Sequence, residues 1–165
     1  MALEKFTDKA RKVTVLAQNA AKNMDSAAIG TEHVFLGLID EGESFAAQSI
    51  EKLGVKREDF LTEARKLNTP SLDSSNANLA YTTNVKHVFE YAYREALQMS
   101  QSYIGTEHLL LGIIETKDCK AMQILETLGF SEEDLRNTTN DVIGKTPVLA
   151  GGGPETRKGK KTEIS

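Results

Sequence analysis

The sequence predicts an all-α fold of two tandem four-helix repeats related by a pseudo-twofold axis, followed by a flexible C-terminal tail. Three observations carry this. An octapeptide is written twice, as Gly-Thr-Glu-His-Val-Phe-Leu-Gly at Gly30–Gly37 and Gly-Thr-Glu-His-Leu-Leu-Leu-Gly at Gly105–Gly112, a shift of 75 residues. The match runs outward from it without a gap, pairing Thr7 with Thr82, Val13 with Val88, Ala17 with Ala92, Met24 with Met99, Ala46 with Ala121 and Gly54 with Gly129. Apolar residues recur at three- and four-residue spacing, and no alternating run long enough for a strand interrupts them. Solenoid repeats have periods of roughly 20–50 residues, so this longer unit reads as a small bundle.

Taken in order, Thr7 opens the first helix, with Ala10, Val13, Ala17, Ala20 and Ala21 on one face. A loop over 23–28 leads to a second helix from about Glu32 to Asp40, apolar enough to lie at the bundle centre. Ser44 can cap a third helix that ends at Gly54, where a left-handed cap is expected. A fourth spans about 57–67. Residues 68–80, rich in Ser and Asn, read as a surface linker between repeat one (6–67) and repeat two (81–143). The order then recurs, from Thr82 to about Met99, Thr106 to Glu115, Asp118 to Leu128, and a last helix capped by Ser131. These residues form one domain, 1–144. Beyond it periodicity is lost, and Gly151-Gly152-Gly153-Pro154 with a basic run reads as an exit linker over 145–165.

The chain has 165 residues, 39% hydrophobic and 27% charged, the balance of a soluble globular protein. The net charge of −4 is uneven, with +3 on residues 145–165 and −7 on the body. An acidic body argues against a nucleic-acid partner, because phosphate neutralisation needs a basic face. It suits a cationic ligand. No run near 18 apolar residues and no leader pattern is present, and the lone Cys119 fits a reducing compartment, so a cytoplasmic place without a membrane partner is expected.

No catalytic constellation is visible. Gly159-Lys160-Lys161 lacks the glycine and hydroxyl of a phosphate loop. Each Glu-His pair, at 32–33 and 107–108, lacks the second histidine of a zinc site. Neither cofactor nor metal is expected. Within the octapeptide, glycine permits a sharp entry turn, Thr31 or Thr106 reads as a helix N-cap, and Glu32 or Glu107 lies one residue further on. Each glutamate is expected in a groove between repeats, near a helix that begins at Thr7 or Thr82, with Arg11 or Lys86 one turn in. A hydroxyl, helix-start N–H groups and a cation form a phosphate site, and a carboxylate accepts a guanidinium.

On these residues the chain resembles the Clp N-terminal repeat domain that precedes the ATPase modules of bacterial ClpA, ClpB and ClpC unfoldases, and ClpC above all. Phe6-Thr7, both Ile-Gly-Thr-Glu-His runs and the Leu-Gly pairs at 53–54 and 128–129 carry the likeness over about residues 3–144. The resemblance implies a non-catalytic domain that docks adaptors and protein substrates, marked by phosphoarginine in ClpC-type members. It assigns Glu32 and Glu107 to the guanidinium, and Thr7, Thr82 and Lys86 to the phosphate end. Arg11 is the position matching Lys86. It further implies ATPase modules beyond an exit linker, or alternatively a free-standing regulator of the same fold. The second repeat departs from the ClpC pattern at Tyr81–Lys86 and at Glu115-Thr116-Lys117-Asp118.

Overall fold

A computed structural model describes residues 3–72 and 79–144. The expected flexible tail, 145–165, and residues 73–78 of the linker lie outside the described residues. After a short 3-10 helix at Leu3–Lys5, which the sequence reading did not anticipate, repeat one comprises α1 (Asp8–Asn23), α2 (Thr31–Glu41), α3 (Phe45–Leu53) and α4 (Arg57–Lys66). Repeat two comprises α5 (Thr83–Gln98), α6 (Thr106–Glu115), α7 (Lys120–Thr127) and α8 (Glu132–Ile143). Among the described residues there are no strands, only three isolated bridges, and no helix is long and apolar enough to cross a membrane.

Helix ends follow local chemistry. The hydroxyls of Thr7, Ser44, Thr82 and Ser131 each accept the backbone N–H three residues on, that of Ala10, Ala47, Val85 and Asp134 respectively. Gly54 and Gly129 take φ of 98° and 95°, where only glycine avoids a Cβ penalty. The closing glycine of each octapeptide has another reason. A Cβ on Gly37 would stand 2.7 Å from the Val13 carbonyl oxygen, and one on Gly112 would stand 2.5 Å from that of Val88. These glycines therefore set how closely α2 lies on α1, and α6 on α5.

The two bundles are interlocked rather than merely adjacent. Each fourth helix packs on the third helix of the other repeat, α8 on α3 and α4 on α7. The Thr82 N–H donates to the Ile29 carbonyl at 3.0 Å, and the Thr7 N–H to that of Ile104 at 2.9 Å. Reciprocity of this kind is the mark of an isologous interface. One apolar cluster runs through both repeats, with Phe6 edge-on to Phe89 at 5.3 Å and Phe35 stacked on Phe60 at 4.5 Å.

Candidate functional site: a carboxylate pocket shared by the repeats

The octapeptide begins one residue earlier than its sequence implies. The N-cap of α2 is Gly30 and that of α6 is Gly105, both extended, so Thr31 and Thr106 are the first helical residues. Neither threonine caps its own helix. Thr31 Oγ1 accepts the N–H of Ala121 at 3.1 Å, and Thr106 Oγ1 accepts that of Ala46 at 3.3 Å. Each therefore satisfies a free N–H at the start of the other repeat's third helix. The cap glycines serve space rather than a sharp turn. A Cβ at Gly30 would overlap Glu32 Oε1, and one at Gly105 would lie 2.6 Å from Glu107 Oε1. Both carboxylates fold back over their own helix start.

The local cap comes from histidine. His33 Nδ1 accepts the Gly30 N–H at 2.8 Å, and His108 Nδ1 that of Gly105 at 2.8 Å. This leaves the His33 proton on Nε2, which faces Ser26 Oγ at 3.0 Å. The Ser26 hydroxyl donates in turn to Asn68 Oδ1, and the Asn68 amide donates to the Met24 carbonyl at 2.9 Å. Burial, helped by the Lys120 charge, holds the His33 imidazole down at about 4, so the ring is neutral.

Glu32 is 2% exposed. Its Oε1 has no hydrogen-bond partner among the described residues, while Oε2 lies 3.8 Å from His33 Nε2 and 3.9 Å from Lys120 Nζ. Burial pushes its carboxyl above the usual range, opposed by its own backbone N–H and by Lys120. A cavity of ≈ 230 Å³ opens beside it, lined by Ser26, Asn68, Thr69, Thr82, Asn84 and Lys120. The structure thus brings Glu32 of repeat one and Thr82 of repeat two to one cavity. The reciprocal backbone bond holds Thr7 against Ile104, three residues before Glu107. Lys86 is exposed on α5, one turn beyond Thr82. Arg11, one turn beyond Thr7, is already engaged, by Asp8 Oδ1 at 2.5 Å and the Leu3 carbonyl at 3.3 Å.

Sequence reasoning missed Lys120 and Asn68. No signal marked Asn68, because it fell in a segment read as linker. That segment instead begins by pairing with the 24–27 loop, through Ala27 N–H to Thr69 O at 2.8 Å and Ser71 N–H to Asp25 O at 2.7 Å. Lys120 could have been flagged by its repeat partner, Phe45, since a cation stands in one copy and an aromatic ring in the other.

Comparison with known proteins closes the question of family. The description "Clp repeat (R) N-terminal domain" matches residues 5–128 and again 80–162. This chain belongs to the Clp N-terminal repeat family. Chaperone protein ClpC2, chloroplastic, from Oryza sativa subsp. japonica is 35% identical over 150 residues, 91% of this chain. The chain spans only 16% of that relative's length. The solved N-terminal domain of the chaperone ClpD from Arabidopsis thaliana is 25% identical, with a TM-score of 0.72 over 85% of this chain and 98% of that one. A ClpV N-domain solved in complex with a VipB peptide shares the fold at 14% identity and a TM-score of 0.63, over 84% of this chain and 86% of that one.

Proposed function

We propose that this Clp N-domain is the recognition domain of a ClpC-like unfoldase. It receives adaptor proteins and protein substrates, including proteins marked with phosphoarginine, for delivery to a protease by ATPase modules of the same full-length protein. The observation that carries this reading is the Glu32 Oε1 atom, buried without a partner beside a cavity. A carboxylate oxygen in that state is costly, and a guanidinium supplies the paired N–H donors that relieve it. Across the cavity, Thr82 and the start of α5 offer the hydroxyl and helix-end field that favour a phosphate, with Lys86 one turn along. Glu107 with Thr7 and Arg11 forms the second site of the pair. The acidic body of the chain favours approach of a cationic segment.

Calorimetric titration with phosphoarginine, with arginine and phosphoserine as controls, tests this reading. Binding at two sites per chain is expected, with clear preference over both controls. Glu32→Ala should halve the stoichiometry, and Glu32→Ala with Glu107→Ala should abolish binding. Losing one charge-assisted hydrogen bond is worth roughly 1.5–3 kcal/mol at the site affected. Native affinity in the double variant would refute the paired-carboxylate mechanism.

A further inference from the structure

The cation nearest Glu32 belongs to the chain itself. Lys120, the first residue of α7, is placed by the Thr31 hydroxyl, which takes the N–H of the next residue, Ala121, at 3.1 Å. Its Nζ reaches to 3.9 Å from Glu32 Oε2 and to 3.3 Å from Thr69 Oγ1. The ammonium therefore spans the cavity from the motif to the wall at residue 69. The lysine side chain is 37% exposed while the carboxylate it faces is 2% exposed, so it lies over the carboxylate from the open side. Among the described residues, His33 lies against that oxygen and the Cys119 thiol also feels the Glu32 charge. In repeat one the matching first residue of α3 is Phe45, buried and uncharged, beside the Thr106 that takes the Ala46 N–H.

We propose that Lys120 is a built-in competitor for the Glu32 carboxylate, a tethered cation that a guanidinium ligand must displace. The inference rests on the phosphoarginine reading for its ligand only. An incoming guanidinium and the ammonium carry like charges and cannot both lie within 4 Å of one carboxylate without repulsion. The ammonium sits on a flexible stem with a partly open path to solvent, so it can swing away, and its displacement lowers the affinity of the Glu32 site.

The test is a site-resolved titration of the full chain with phosphoarginine, following the amides of residues 31–34 and 106–109 by NMR. Lys120→Met should tighten the Glu32 site by roughly tenfold, the weight of one screened ion pair at this distance, and leave the Glu107 site unchanged. Lys120→Arg, which keeps the charge, should behave as the native chain. Unchanged or weaker binding at Glu32 in Lys120→Met overturns the proposal and makes the lysine bystander or phosphate ligand. If phosphoarginine binds neither site in any variant, the recognition reading fails, and a ligand-free measurement decides the role of Lys120. The Glu32 carboxyl, followed by carbon-detected NMR, should then titrate at higher pH in Lys120→Met. An unmoved Glu32 titration overturns the proposal.

Discussion

At Glu32 the octapeptide looks onto Asn68, Thr69 and Lys120, and the 75-residue repeat pairs these three with Ile143, Gly144 and Phe45. The residues kept in both copies are those that build the helix start and join the repeats. Gly30 and Gly105 leave room for a folded-back carboxylate, Thr31 and Thr106 cap across the interface, His33 and His108 cap locally, and Gly37 and Gly112 admit close packing. Residues that differ between the copies, Asn68, Thr69 and Lys120, line the cavity beside Glu32. A duplicated scaffold thus holds its carboxylates in one frame while residues paired across the repeat diverge beside them. The same contrast recurs away from the site. A groove between Ile39, Ala47 and Val55 has a volume of ≈ 390 Å³. Its counterpart at Ile114, Met122 and Phe130 holds only ≈ 110 Å³, narrowed by larger side chains and by Lys117 bonded to Glu132 at 2.9 Å.

The shared frame is broken most severely at the packing glycines. Gly37→Ala and Gly112→Ala should each cost about 3 kcal/mol or more, because the new methyl meets a backbone carbonyl that cannot move without parting two helices. Denaturant unfolding of both variants checks this, and near-equal losses would show that the two helix pairs are equivalent. A loss below about 0.5 kcal/mol in either would mean the close approach is not needed.

Acid should separate the two groups of the Glu32 pocket by sign. The His33 pKa lies at about 4 in the fold against an ordinary 6.5. Its contribution to stability is therefore complete above pH 6.5 and is lost as pH falls through 4, on the order of 3 kcal/mol in all. Glu32 works the other way, since a carboxyl whose folded pKa is raised gains relative stability as it is protonated. Proton NMR of the His33 ring should give a midpoint near 4, and a midpoint near 6.5 would deny its burial and its role as a neutral cap.

The cross-repeat caps allow a finer comparison. Ser44 already supplies a side-chain cap to α3, whereas Cys119 makes no side-chain cap to α7. Thr31→Val should therefore cost about 2 kcal/mol and Thr106→Val about 1 kcal/mol, within the range for leaving a buried N–H without its acceptor. Thermal melts of the two variants at one pH would settle the order, and the reverse ranking would show that Ser44 does not compensate. At the small end, Lys117→Ala should change stability by no more than about 0.5 kcal/mol, because the Lys117 and Glu132 side chains are 65% and 38% exposed and solvent screens the pair. A larger change would mean that the ion pair shapes the narrow groove of repeat two.

Much of this was legible in the sequence because it depends on near neighbours. The duplication fixed two copies of one helix order, apolar spacing fixed the buried faces, and Thr7, Ser44, Thr82 and Ser131 announced helix starts by chemistry acting within three residues. Glu32 and Glu107 were singled out from their place in a repeated motif. Tertiary structure alone decided what those glutamates face. The reading of Thr31 and Thr106 as caps of their own helices failed because a hydroxyl at a helix start bonds whichever N–H is free nearby, and here the free one belongs to another helix 90 residues along for Thr31 and 60 residues back for Thr106. The same docking carries Lys120 to Glu32, sets Thr82 rather than Thr7 across the cavity, and turns Asn68 from linker into wall. Local sequence specifies donors and acceptors, but their pairing is settled by which helix ends the interlocked repeats bring together.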